Sequence, residues 1–129
     1  MVGSNAYNYI NILDKAADAS WTRNELITNN IANVDTPNYK RKDIEFQTYL
    51  ANELEGNGSL DQKVANADFN SLEASIYTDD ASLSYRLDGN NVDIDTESAN
   101  QAENQIRYYT LLDSMTQEFS RIKSVLTNN

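Results

Sequence analysis

NNIANVDTPNYKRKDIEF, residues 29–46, is the stretch on which the fold turns, because a helical pattern runs into a proline-centred turn and then into a short basic cluster. Asn29, Asn30 and Asn33 weaken helix propensity as the turn approaches. Pro37 ends the helix, since the residue before a proline avoids the α region and Thr36 is pushed into an extended or turn conformation. Asn33, Asp35 and Thr36 are residue types whose side chains hydrogen-bond to nearby backbone, so a local capping role is the first reading and a contact surface the second. Lys40, Arg41 and Lys42 are flanked at once by Asp43 and Glu45. That cluster is too short to track nucleic acid and is expected to be a solvated turn, or a partner for acidic surface on a neighbouring molecule.

Upstream of the turn, residues 6–33 carry an amphipathic helical pattern. Ala6, Ile10, Leu13, Ala17, Ser20, Asn24, Ile27 and Ile31 follow alternating steps of four and three, a seam narrower and more polar than an ordinary core face. Ala16, Ala17, Ala19 and Ser20 would let another helix come close. Far downstream, residues 96–127 form a second helical pattern with no Gly or Pro. Ala99, Ala102, Ile106, Tyr109, Leu112, Met115, Phe119, Ile122 and Leu126 recur at steps of three or four and define its expected packing stripe. Asp95 or Thr96 is the expected cap, and at 1.5 Å per residue the helix would reach roughly 45 Å. An antiparallel pair of such helices leaves Tyr109, Phe119 and Ile122 partly bare, so an isolated copy is expected to be poorly ordered.

Between the helices the composition changes. Residues 56–71 are rich in Gly, Ser and Asn and are expected to be loop. Residues 82–94 alternate apolar residues around Asp88, Gly89, Asn90 and Asn91, the pattern of a β-hairpin or sharp corner. The expectation is a mainly α chain: two long terminal helices packed as a coiled-coil-like pair, with a short, partly β-hairpin or irregular middle, extended rather than compact. Residues 1–35 and 95–129 form one helical unit from both termini, and 36–94 form the small polar middle.

The 129 residues carry a net charge of -10 and a pI near 4.2, which repels polyanions and points to protein partners rather than nucleic acid. With no Cys and no His, thiolate and imidazole chemistry and the usual transition-metal ligands are excluded. The segment 88–95 fails as a calcium loop: with Gly89 at the sixth position, Arg86 falls at the third and Asp95 stands where Glu is needed. Asp79, Asp80 and Asp88 are expected to be solvated acidic surface. Asp93 and Asp95 would share one strand face, but nothing marks them as a buried acid-base pair. Asn57, Gly58 and Ser59 spell a glycosylation triplet of a kind that occurs by chance in polar loops. No cofactor and no catalytic residue is expected. The first residues show no basic then apolar leader, and no apolar run is long enough to cross a membrane.

The opening stretch resembles the N-terminal signature of the flagellar rod, hook and hook-associated proteins, in which ANxxTPGY precedes a phenylalanine. Ala32, Asn33, Thr36, Pro37, Tyr39 and Phe46 match it, with Asn38 where Gly is usual. Asn tolerates a left-handed backbone better than other non-glycine residues, so the turn is expected to survive. RLDGNNVDIDTESANQAENQIRYYTLL, residues 86–112, resembles the small proximal rod members of that family, on Asp88, Gly89, Asn90, Val92, Asp93, Glu97, Ala102, Glu103, Asn104, Ile106, Arg107 and Tyr108. The ending that contains Phe119 and Ile122 is similar too. The resemblance implies a structural subunit without enzymatic activity, exported without a cleaved signal peptide and stacked helically in the periplasmic part of the basal body. Its implied partners are copies of itself, other flagellar rod proteins, the basal rod adaptor and the export gate. A second small proximal rod protein and a small acidic secretion chaperone are the alternatives.

Overall fold

A computed structural model describes residues 2–47, 50–51, 58–67, 74–80 and 86–127. Helix α1 spans Val2–Ala32, uninterrupted by proline, and ends where the Asn residues and Pro37 weaken and then forbid helix. Its expected seam is buried at Ile10, Ala17, Ser20 and Ile27 and partly buried at Leu13, Asn24 and Ile31. A second face carries Ile12, Ala16 and Ala19, which pack with Phe46, Ile44, Leu50 and Ala74 into a small apolar cluster. One helix therefore serves two packing partners.

The second long helix, α3, spans Ile94–Thr127 and runs antiparallel to α1. Asn30 meets Glu97 at one end, and further along the ring of Trp21 lies 5.8 Å from that of Tyr108. The helix starts earlier than the Asp95 or Thr96 cap expected from sequence. Asp93 Oδ1 accepts from the Asp95 and Thr96 N–H groups at 3.0 and 3.4 Å, and the Asp93 carbonyl accepts from Glu97 N–H. An Asp at this position both satisfies first-turn donors and favours the helix dipole.

The face that α3 turns toward α1 differs from the expected stripe. Glu97, Gln101, Asn104, Tyr108, Leu111, Met115, Glu118 and Ile122 are buried or partly buried, again at alternating steps of four and three. Of the expected stripe only Met115 and Ile122 lie on that face; Ala99, Ala102, Ile106, Tyr109, Leu112, Phe119 and Leu126 are exposed. The physical reason lies in α1, whose seam is polar at Ser20, Asn24 and Asn30. Polar groups that leave water need hydrogen-bonding partners, so α3 answers with Asn104, which donates to the Ser20 carbonyl at 2.7 Å, and with Glu97. The more apolar stripe is left facing outward.

Two short strands cross the middle, β1 at Lys42–Glu45 and β2 at Ser75–Thr78. They pair antiparallel with Ile44 opposite Ile76 and Asp43 opposite Tyr77. The β pair is thus not the hairpin expected over 82–94. Residues 86–93 form a turn and an extended lead into α3, because Asn90 and Asp93 commit their side chains to helix ends; residues 82–85 lie outside the described residues. The stretch 56–71 also departs from expectation, since Leu60–Asn66 forms a two-turn helix, α2. Ser59 and Gln62 close a reciprocal capping box at its start, and Val64 is buried. Tyr9 Oη donates to Asp61 at 2.6 Å and ties α2 to α1.

Candidate functional site

The end of α1 leaves backbone carbonyls without helical partners. Asn90, 1% exposed, fills that gap: its Nδ2 donates to the carbonyls of Asn33, Val34 and Thr36 at 2.8, 3.1 and 2.9 Å, while its Oδ1 accepts from Val92 N–H. Arg86 also donates to the Val34 carbonyl and pairs with Asp88. Asn33 donates back to the Asn29 carbonyl and accepts from Thr36 Oγ1, the local capping read from the sequence. Asn38 has φ of 61°, the left-handed conformation expected of it, and its N–H donates to the Asp88 carbonyl at 2.7 Å. Gly89 faces it with φ of 76°, and a Cβ there would stand 2.6 Å from Asn38 Oδ1. The two motifs, fifty residues apart in sequence, are halves of one junction.

A second layer ties that junction to the strands and to α3. Asn30 is wholly buried; its Oδ1 accepts from Lys42 N–H and Tyr39 Oη, and its Nδ2 donates to the Lys42 carbonyl and to Glu97. Burial raises the Tyr39 phenol above its ordinary value, and the charge of Glu97 adds to this. Asn91 accepts from Arg41 N–H and donates to the Asp79 carbonyl, so it bridges the β pair to the lead of α3.

At the centre stands Arg41, whose guanidinium reaches Glu97, Asp79 and Asp43, the last two at 3.0 Å. Burial disfavours its charge, but the three carboxylates outweigh that and hold its pKa above the ordinary value. Asp43 also meets Arg23 at 3.0 Å. Burial pushes the Asp43 carboxyl up, yet hydrogen bonds from Arg23, from Ile44 N–H and from Arg41 leave it below the usual value. The basic cluster is therefore not a solvated turn: Arg41 is committed within the chain and Lys40 donates to the Gly89 carbonyl, leaving Lys42 exposed. Asp79 likewise is not free acidic surface. Nothing in KRKD distinguishes Arg41 from its neighbours; its role comes from strand pairing, which places Asp79 beside it.

The remaining sequence-derived residues divide by location. Pro37 is an exposed part of the turn and Ala32 the exposed last residue of α1, while Phe46 and Val92 are buried. Asp93 caps α3, and Asn104 and Tyr108 lie in the helix seam. Glu103 and Arg107 form an ion pair at 3.2 Å one helical turn apart, exposed enough to contribute little. Ile106 and Phe119 stand in solvent at 69% and 53% exposure, and Ile122 is half-buried. The roles of Asn30, Asn91 and Asp43 had no motif to announce them.

A junction whose polar groups are satisfied by one another positions chain segments rather than reacting groups, and among the described residues no His, Cys, Asp or Glu cluster could hold a metal. This defines a small helical subunit built around a rigid corner, with its chemistry spent on shape. Residues 11–40 match a family model described as flagella basal body rod protein. The flagellar basal body rod protein FlgB of Bacillus subtilis (strain 168) is 39% identical over 117 residues, covering 89% of this chain and 90% of that protein. Its counterpart from Cereibacter sphaeroides is 38% identical over 109 residues, covering 81% and 83%, and that of Borrelia hermsii 33% over 132 residues, covering 94% and 92%. The chain belongs to the FlgB family of flagellar basal body rod proteins. It is a structural subunit of the rod.

Proposed function

We propose that the chain forms the proximal part of the rod by helical stacking with copies of itself and with other rod proteins, and that it transmits motor torque through those contacts. In this reading α1 and α3 pack as a coiled-coil-like pair, supported by the alternating four and three spacing on both helices. Residues 1–35 and 95–129 act as the stacking unit, and the 36–94 segment sets how each pair meets the next. The rod adaptor and the export gate lie at its base, in the periplasmic part of the basal body, and the chain travels through the flagellar export apparatus with its N-terminus intact.

One observation carries the reading: the polar junction is closed within one chain, whereas the outward stripe of α3 is open. Burying side chains such as Tyr109 and Phe119 against neighbours would stabilise the assembly by about 1.5–3 kcal/mol each. No helix among the described residues is long and apolar enough to cross a membrane, so that stripe does not mark a spanning segment. Mass spectrometry of purified hook and basal-body complexes provides the test. Peptides of this chain, including an unprocessed N-terminus, are expected there. Their absence, with the protein recovered as a soluble dimer, would overturn the proposal.

A further inference from the structure

The helix pair has two broad sides. One is covered by the β pair and Phe46; among the described residues the opposite one is bare, and its two halves differ in charge. On α1, Asp14, Asp18, Trp21 and Glu25 follow steps of four, three and four and form an exposed acidic ridge with one aromatic, Trp21, 54% exposed. The cations of this part of the helix lie off that ridge: Lys15 is half-buried beside it and Arg23 is paired with Asp43. Trp21 continues across the seam through Tyr108 to Tyr109, whose ring centroid is 5.9 Å from that of Tyr108. On α3, the final turns have the opposite character. After Glu118, residues 119–127 contain Arg121 and Lys123 and no acidic residue, within a chain of net charge -10. Phe119, Lys123 and Leu126 follow steps of four and three on the bare side and are exposed there, whereas Arg121, about five helical turns beyond Glu103, lies on the row that faces Asp43 and Phe46 and stands near Tyr9. Arg121 pairs with Glu118 at 3.0 Å on that covered side, so the cation that these turns present to the bare side is Lys123.

One chain cannot join these two surfaces. Trp21 lies level with Tyr108, so Asp18 is level with Leu111 and Lys123 sits about 12 residues further along α3, roughly 18 Å away. Resting on the stacking reading above, we propose that the bare side docks a second copy displaced along the helix axis, with the basic, apolar end of its α3 lying antiparallel on the acidic ridge of α1. At that displacement Lys123 of one copy meets Asp18 of the next, Phe119 covers Trp21, and Thr127 reaches Asp14. Opposite charges steer and register the contact, and the apolar side chains supply its buried area. Because the donor and acceptor surfaces differ, each copy uses one to bind the copy ahead and offers the other to the copy behind, which propagates rather than closes.

The absence of cysteine makes this testable by site-directed cross-linking. Asp18→Cys and Lys123→Cys are combined in one chain and expressed in place of the wild type; basal bodies are purified and treated with a short bifunctional maleimide. The two thiols are too far apart within a copy for a short bridge. A ladder of dimers, trimers and larger species, absent from each single-cysteine variant, is the expected result. Dimers alone would mean a closed two-fold contact, and a product with the mass of another protein would mean a different occupant; either overturns the proposal. Monomer alone in basal bodies that contain the chain overturns it as well, provided Asp14→Cys with Thr127→Cys gives the same result. Absence of the wild-type chain from basal bodies would instead strike the stacking reading itself.

Discussion

The two ends of α3 are built on opposite principles. Its first turns enter a junction in which Asn90, Asn30 and Arg41 are each satisfied by three or more partners in the same chain. Its last turns carry Phe119, Val125 and Leu126 in solvent, near the ion pair of Arg121 and Glu118. Hydrogen bonds are directional and costly to leave unmade, so the junction fixes geometry. Exposed apolar area is non-directional, so the far end contributes binding energy once something covers it. Shape is settled inside the chain and, in the proposed stacking, cohesion is left for the assembly.

Substitutions sharpen this contrast if the junction dominates the stability of one copy. Arg41→Ala is the severest: it leaves Glu97, 1% exposed, with only the long bond from Asn30, and Asp43 and Asp79 without their shared cation. Loss of about 3–5 kcal/mol is expected by chemical denaturation. Asn90→Ala removes one bond from each of the carbonyls of Asn33, Val34 and Thr36 and the acceptor of the buried Val92 N–H, and is expected to cost about 2–3 kcal/mol with α1 fraying from its C-terminal end, visible as faster amide exchange there. Acid probes the same network. The Asp43 carboxyl lies below its ordinary value when folded, so the stability it contributes is present above the unfolded value of about 3.9 and is lost as pH falls through the lower folded value. Asp43→Asn is expected to be less stable at pH 7 and to lose less on going to pH 3 than the wild type. Equal acid sensitivity in both proteins would remove Asp43 from the account.

Much of this was legible in the sequence, for identifiable reasons. The α1 seam obeyed its periodicity because α3 covers that face within the chain. The left-handed turn at Asn38 followed from the resemblance, which has Gly there, and from the tolerance of Asn for that conformation. On α3 the apolar periodicity was real but marked the open side, since the polar residues of α1 had already chosen Glu97 and Asn104 as their counterparts. The β pair was missed because KDIE and SIYT are four residues each, lie about thirty residues apart and show no alternation of core residues. DGNN looked like a hairpin turn and is a cap, and the Ser59 and Gln62 capping box was present in SLDQ but masked by its Gly and Asn surroundings. The role of Arg41 is tertiary and had no local signal at all.

A smaller effect is expected at Gly89. Ala there must hold φ of 76° and meet Asn38 Oδ1, so Gly89→Ala is expected to cost about 1–2 kcal/mol, and Asn38→Gly in the same chain, which keeps the left-handed turn at that position, is expected to relieve only the steric part. If the double variant recovers the wild-type midpoint, the strain was side-chain crowding and not backbone conformation.

Phe119→Ser has the smallest expected effect on a single copy and is the most decisive for the comparison. The side chain is 53% exposed and lies outside the junction, so the denaturation midpoint of the isolated chain is expected to move by no more than about 0.5 kcal/mol. In the proposed stacking the same ring is covered by a neighbour, so the variant is expected to be exported normally yet retained poorly in purified basal bodies, with smaller swimming halos. A large loss of stability in the isolated chain would show that α3 closes on itself in solution, and the division between a shape-setting junction and a binding end would fail. Unchanged stability together with unchanged incorporation would leave the division intact and move the binding surface away from Phe119, toward Tyr109 and Leu112 on the earlier part of the same helix.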